Sequence, residues 1–517
     1  MLVSQNFKNK ILDIYNSGEY LTVEEDATYL LSKGFTDPWL CNLLAVSLAK
    51  QKKYSQAIKY FEILCDLNPE NFNNYFNLGN LYRDAKKSDL AMKYYLISNK
   101  KNPKHLDTIT EISKIFYRKK DFVNALKYAF KAKIANPKSL EVIDLFGHIY
   151  FLKGDFIQSL SEYEKLRKYK YKKDKIDTNI ASNLIQLGRI EEAKEILEQN
   201  SLDKAKYNLG IIYLSQKNFS KGWENYNIGI DIAERYLRVD VNTLNDLPKW
   251  NPKKNFKSIL IIGEQGLGDE LMFSLLLKHI NLKKTKLGLL LDKRLKNLFA
   301  SSNLNHEYIN NLNEALEKKY ESYLPIGSLC KYFLKSESDF LKIQNLKFKI
   351  NNKLVSELKS RLPHKFNIGI SWHTTNKQLG SVRNIKLKQF LPLFSGLNAN
   401  FINLQYGDHK SEIEYASKKN KKNVFIEDDI DNKDDLDSLV AKISLCDLVL
   451  SIDNSTLHLA GILNKNTIAF IPEVSDWRWF EKNDKCLWYK NMILIRKSET
   501  WDQAIQDTLL YCKKLIC

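Results

Sequence analysis

Two short segments of this 517-residue chain combine residue types that could do chemistry. The first, Gly263-Glu-Gln-Gly-Leu-Gly-Asp269, follows the apolar run Ser258-Ile-Leu-Ile-Ile262 and precedes Leu271, Phe273 and Leu275 to Leu277 at helical spacing. That order predicts strand, glycine-rich turn and helix, in which Gly266 and Gly268 let the backbone approach a ligand and the free N–H groups of the helix face an anion. Asp269 is then a carboxylate at a helix start, able to take a proton from an attacking hydroxyl or to cap the helix. No Gly-Lys-Ser/Thr follows, so the turn is not a Walker loop, nor is it a clean dinucleotide fingerprint.

The second segment begins with the buried-strand pattern Asp447-Leu-Val-Leu-Ser-Ile452 and continues as Asp453-Asn-Ser-Thr-Leu-His458 into the helical run Leu459 to Leu463. Asn454, Ser455 and Thr456 at a helix start offer unpaired N–H groups and two hydroxyls, a cradle for phosphate. His458 in the first turn reaches a phosphate or sugar oxygen, or serves the packing. Arg383, in the polar loop Thr374 to Ile385, is a forked donor suited to phosphate, or a surface cation. Trp477 and Arg478 follow the strand-like Thr467 to Ile471 and are expected at a pocket rim, where an aromatic stacks on a base or shapes the site. The acidic run Glu427 to Asp437 contains Asp429-Ile-Asp431, formally the DxD pattern of metal-using glycosyltransferases. Asp434 and Asp435 read instead as favouring the N-terminus of the helix at Leu436, and no metal site is expected.

These segments need a scaffold. Residues 256–360 and 365–517 each read as a Rossmann-like layer of strands and helices, and two such layers make a cleft at the carboxyl ends of their strands. Ahead of them, Asn-Pro recurs at Asn68-Pro69, Asn102-Pro103 and Asn136-Pro137, a period of 34 residues. Leu78-Gly79, Tyr82, Ala91 and Tyr95 keep the same beat as Gly147, Tyr150 and Tyr163, and a weaker copy runs through Leu209-Gly210, Tyr213 and Tyr226. Small residues let paired helices approach, aromatics fill the space between, and proline stops the second helix. This pattern resembles the tetratricopeptide repeat. About six units are expected over 1–240, ending near Gly229, with a boundary in the stretch Arg238 to Lys257 that holds Pro248, Trp250 and Pro252.

Composition narrows the partners. An apolar share of 44% can bury large cores, and Gly 19 with Pro 10 is too little for a disordered chain. The formal charge is +19, but only 11 of the 80 basic residues are Arg, whereas nucleic-acid recognition favours the Arg fork, so no nucleic-acid partner is expected. Seven cysteines without a CxxC pair suggest neither zinc nor a disulfide framework. A cytoplasmic protein is expected, with no transmembrane segment and with any membrane contact peripheral.

Glu264-Gln-Gly-Leu-Gly-Asp269, Asp453-Asn-Ser-Thr-Leu-His-Leu-Ala-Gly461, Asp476-Trp-Arg-Trp479 and Trp488-Tyr489, together with the repeats, resemble tetratricopeptide-repeat proteins carrying a glycosyltransferase domain related to the heptosyltransferases. The resemblance implies an α plus α/β chain: a repeat α-solenoid followed by a GT-B domain of two Rossmann-like halves. It implies an inverting, metal-independent transfer of sugar from a nucleotide-sugar to a protein or glycan acceptor, with the donor as substrate and no other cofactor. Asp269 matches the aspartate such enzymes use as base, Arg383 falls where they place a basic donor contact, and Ser455 stands where they usually have Gly. A non-catalytic repeat scaffold with a degenerate nucleotide-binding domain is the alternative.

Overall fold

The computed structural model describes residues 3–516 except 36, 245–246, 281–283, 376–379, 421–423, 426–429, 482–483 and 499. Asp429 of the formal DxD pattern and Cys517 lie outside the described residues. The chain divides into two compact units, Met1–Asn183 and Leu184–Cys517.

Unit 1 is a helical repeat array. Its hairpins are Gln5–Asn16 with Tyr20–Ser32, Pro38–Lys50 with Tyr54–Leu67, Phe72–Asp84 with Ser88–Lys101, Leu106–Arg118 with Phe122–Ala135, and Leu140–Lys153 with Phe156–Lys168, followed by most of Lys173–Gln186. The first hairpin precedes the repeats legible in the sequence. Packing within the hairpins follows residue size: a Cβ on Gly79 would lie 2.6 Å from the Tyr95 ring, and one on Gly147 would lie 2.7 Å from the Tyr163 ring. Asn68, Asn102 and Asn136 are the C-caps of their helices, so each following proline falls where no helical N–H is needed. A further 34-residue register lies in the turns, where Gly18, Lys52, Lys86, Lys120, Gly154 and Gly188 all adopt positive φ. Lysine at three of these six positions hides the register from a glycine search.

Unit 2 begins with the helix Ile190–Glu198 and the hairpin Asp203–Ser215 with Phe219–Asp231. It then builds two parallel sheets. The first contains β1 (Ser258–Ile262), β2 (Lys286–Leu290), β3 (Glu307–Tyr308) and β4 (Tyr323–Pro325) in the order β3-β2-β1-β4. The second contains β5 (Phe366–Ser371), β6 (Ala399–Asn403), β7 (Val424–Phe425), β8 (Leu448–Ile452), β9 (Thr467–Ile471) and β10 (Met492–Arg496) in the order β10-β9-β8-β5-β6-β7. In each sheet the chain adds strands to one side and then reverses, between β1 and β4 in the first and between β5 and β8 in the second. Such switch points leave a crevice at the carboxyl ends of the strands.

The last hairpin and both sheets share one apolar core that runs through Trp223, Tyr226, Ile261, Phe273, Leu457, Trp477 and Trp488. The Trp223 indole donates to the Leu334 carbonyl at 2.7 Å, which satisfies its polar edge inside that core. Helices that continue the repeat pattern therefore fold as part of the sheet-bearing unit.

Candidate functional site

The glycine turn is built from both ends. Gln265 adopts φ 58 and Gly266 caps the helix Leu267–Ser274, where the Asp269 carboxylate accepts from the Gly266 N–H at 3.4 Å. Upstream, Glu264 is fully buried and accepts from Arg235 Nε at 3.0 Å, Arg235 Nη2 at 2.6 Å and the Gly327 N–H at 2.6 Å. Arg235, just past the last repeat helix, lies over the Tyr226 ring at 4.4 Å. An isolated buried charge would be costly, so this pair holds the turn by mutual need. Downstream, Glu270 accepts from Arg238 Nε at 2.5 Å and from the Asp292 N–H at 2.7 Å, and burial pushes its carboxyl up to about 7. Gly263 and Gly327 are the residues over which these two carboxylates pass; a Cβ on either would collide with Glu270 and Glu264 respectively.

On the second sheet, Asn454 caps the helix Ser455–Ile462 by accepting from the Leu457 N–H at 3.2 Å, and its amide donates to the Ser371 hydroxyl at the end of β5 at 2.8 Å. This fixes the helix N-terminus at the β5/β8 switch point. Ser455 is half-buried, and the Thr456 hydroxyl is buried with no partner among the described residues. A buried hydroxyl left unpaired beside free helical N–H groups is a place for a ligand oxygen.

The two segments meet. Gly268 lies against His458, with 2.7 Å from an added Cβ to the imidazole Cδ2, so the helices Leu267–Ser274 and Ser455–Ile462 pack in close contact. His458 is buried, shares a hydrogen bond with the Tyr489 hydroxyl at 2.9 Å and stacks on Trp479; burial pushes its imidazole below the usual value. Its surroundings are those of a packing residue, not of a free ligand contact.

Across the contact runs a chain of alternating charges. Arg478 donates from Nε to Asp269 Oδ1 at 2.7 Å, pairs with the same oxygen through Nη2, and donates to Gln265 Oε1 at 2.8 Å and Asp476 Oδ1 at 2.6 Å. Asp476 Oδ2 faces Arg383 Nη2 at 3.6 Å, and Arg383 pairs with Asp453 Oδ2 at 3.0 Å. Burial alone would raise the Asp476 carboxyl, but Arg478 and Arg383 hold it below the usual carboxylate range. The side chains of Asp269, Arg478, Asp476 and Arg383 keep 18%, 12%, 23% and 16% of their surface exposed, so the chain is reachable from solvent.

The residues singled out from sequence thus separate into groups. Asp269, Arg383, Asp453 and Arg478 join in one network, with Asn454, Ser455 and Thr456 at its second-sheet end; Gly266 and Gly268 shape its backbone. Trp477 is not at a rim: it is 4% exposed and packs edge-on to Trp223 and Tyr226 inside the core, because the turn at Asp476 directs the indole inward and the guanidinium of Arg478 across its face. Asp431 and Asp435 act in local turns, Asp431 accepting from the Lys433 N–H and Asp435 capping the helix Leu436–Leu445. Among the described residues no cluster suited to a metal ion is found. Sequence reasoning missed Arg235, Glu264, Arg238, Glu270 and Asp476 as partners. For Arg235 and Arg238 the signal was the choice of Arg in a chain that otherwise uses Lys.

Tetratricopeptide-repeat family models match residues 43–71, 72–96 and 178–199. The helical hairpins are tetratricopeptide repeats. Solenoids of this kind serve as protein-binding surfaces. Among curated proteins the chain is 24% identical over 335 residues to Protein FlbA of Caulobacter vibrioides, a match covering 58% of this chain and 54% of that protein. The chain therefore spans about half the length of that relative. Among solved structures, a tetratricopeptide repeat protein from Parabacteroides merdae is 15% identical with a TM-score of 0.40, covering 46% of this chain and 94% of that one. The C-terminal part of a repeat protein from Cytophaga hutchinsonii is 17% identical with a TM-score of 0.35, covering 46% of this chain and 98% of its own. Among the described residues no helix is long and apolar enough to cross a membrane.

Proposed function

We propose that unit 2 is a GT-B-like, inverting, metal-independent glycosyltransferase that moves a sugar from a nucleotide-sugar to a protein or glycan acceptor presented by the repeats. The observation that carries this reading is the charge chain from Asp269, after the first sheet's switch-point strand β1, to Asp453, after the second sheet's switch-point strand β8. It links a carboxylate after one sheet's switch-point strand to the start of the helix Ser455–Ile462 after the other's, which supports a base on one side and a phosphate-binding helix start on the other.

Arg478 occupies Asp269 Oδ1, which leaves Oδ2, with one long backbone contact, as the oxygen able to accept the acceptor's hydroxyl proton. The deprotonated oxygen attacks the anomeric carbon on the face opposite the diphosphate; the carbon–phosphate-oxygen bond breaks, and the sugar carbon inverts. The departing diphosphate carries the electron pair toward the N-terminus of the helix Ser455–Ile462, where the Thr456 hydroxyl, Ser455 and Arg383 meet its charge.

Calorimetry with a panel of nucleotide sugars, followed by an assay for released nucleoside diphosphate, tests the reading. Asp269→Asn is expected to lower turnover by roughly 10²- to 10⁴-fold with donor binding nearly intact. Near-normal turnover in that variant removes Asp269 from the base role. The tie between Asp269 and Arg478 favours one other reading, a repeat scaffold whose sheets hold a nucleotide without catalysis, and donor binding with no diphosphate release would select it.

A further inference from the structure

The five-residue charge chain contains three carboxylates and two guanidinium groups, a net formal charge of −1 at the place where the reading above seats a diphosphate. Like charges there oppose a phosphate unless one carboxylate yields its arginine. The geometry points to Asp476 as that group: we infer that Asp476 is an internal competitor for the donor's phosphate, sharing Arg383 with it and so setting how tightly the site holds a diphosphate. This inference rests on the donor-site reading and names the residue that tunes it.

Three features single out Asp476. Its Oδ2 stands 3.6 Å from Arg383 Nη2, beyond hydrogen-bond distance, whereas Asp453 approaches the same nitrogen at 3.0 Å. The Asp476–Arg383 link is therefore the weaker of the two and the one a phosphate oxygen can replace. Asp476 also keeps 23% of its side chain exposed against 5% for Asp453, so water can solvate it when it withdraws. Finally, its Oδ1 remains bonded to Arg478 Nη1 at 2.6 Å and accepts from the Arg478 N–H at 3.1 Å, so leaving Arg383 strands no buried charge. Arg383 then turns from a carboxylate to a phosphate, exchanging one charge-assisted contact for another.

The test is calorimetric titration of the full chain with UDP, ADP, GDP and inorganic pyrophosphate. Asp476→Asn keeps the side-chain oxygen that caps the turn and removes the charge, and is expected to tighten the best-bound probe by about tenfold or more at low salt, with the gain shrinking as ionic strength rises. Glu473→Gln deletes the same charge from an exposed position on the same loop and is expected to change the affinity less than about twofold. If Asp476→Asn does not fold, Asp476→Ser serves in its place, with the thermal midpoint as the check. Wild-type binding left unchanged or weakened in the Asp476 variant overturns this inference and leaves the donor site standing. Equal tightening in Glu473→Gln overturns it as well. Binding that appears only in the Asp476 variant supports it, and no binding of any probe by either protein overturns both it and the donor-site reading.

Discussion

Replacing Glu264 by Gln removes one charge from a pair in which both side chains have 0% exposure. The Arg235 guanidinium would stay buried with the Tyr226 ring at 4.4 Å and Asn227 Oδ1 at 3.2 Å, neither of which supplies a negative charge. Breaking a buried pair from one side costs about 3–5 kcal/mol, and these residual contacts place the expected loss near the lower figure, about 3 kcal/mol. The double substitution Arg235→Met with Glu264→Met removes both charges and leaves chiefly the Gly327 N–H without its acceptor, a loss of about 1–3 kcal/mol. The double variant should therefore be no less stable than Glu264→Gln alone and clearly better than the sum of its single substitutions. Urea unfolding of the full chain, followed by tryptophan fluorescence, reads this directly, because Trp223, Trp250, Trp372, Trp477, Trp479, Trp488 and Trp501 all lie in unit 2. A loss under about 1 kcal/mol in Glu264→Gln would show that water or local rearrangement relieves the stranded cation, and would refute the argument that this pair anchors the turn.

Gly268→Ala places a methyl group 2.7 Å from His458 Cδ2, and separating the two helices should cost unit 2 about 1–3 kcal/mol, seen as a lower thermal midpoint. Gly154→Ala meets nothing within 4 Å, yet φ 86 should make it about 1 kcal/mol less stable in urea unfolding, whereas Lys120→Gly at the equivalent turn should stabilise by up to about 1 kcal/mol. Burial raises the Glu270 carboxyl from 4.5 to about 7, so the fold retains a proton that the unfolded chain releases. Its contribution is full below about pH 4.5 and is lost as pH rises toward 7, about 3 kcal/mol in all; unfolding free energies measured across that window should flatten in Glu270→Gln.

The repeats were legible because their signals are local and periodic: Asn-Pro every 34 residues ends helices wherever it stands, and Gly79 and Gly147 meet the aromatic rings that the same period supplies. The strand, turn and helix order at Gly263 and Asp453 was legible for the same reason. What escaped were pairings between side chains far apart in the chain, such as Asp269 with Arg478 and Arg383 with Asp476, separated by 209 and 93 positions. No local rule gives the partner of a charge. Trp477 shows the limit from the other side: adjacent to a charged residue after a strand, it reads as a rim aromatic, but only packing decides whether such a ring faces a ligand or the Trp223 and Tyr226 rings. The first hairpin falls inside the expected bounds 1–240, but without the Asn-Pro stop its register was not legible.

The turn between Glu264 and Asp269 joins three parts of unit 2. Glu264 is held by Arg235, which directly follows the last repeat hairpin; Glu270 is held by Arg238 and the end of β2; Asp269 is held by Arg478 from beyond β9. Three of the participants, Arg235, Glu264 and Glu270, are buried side chains whose burial would be unfavourable alone, so each part stabilises the turn only when the others are in place. Glycine at 263, 266 and 268 is what lets so short a segment carry three carboxylates: the first admits Glu270 beneath the backbone, the second starts the helix without a side chain over the opening, and the third admits His458. The last repeat hairpin, packed into the same core, thus takes part in positioning Asp269. In unit 2, repeat and sheet form one cooperative structure, and a perturbation at Trp223 of the hairpin, or at Arg235 just beyond it, should reach Asp269 before it reaches Thr456.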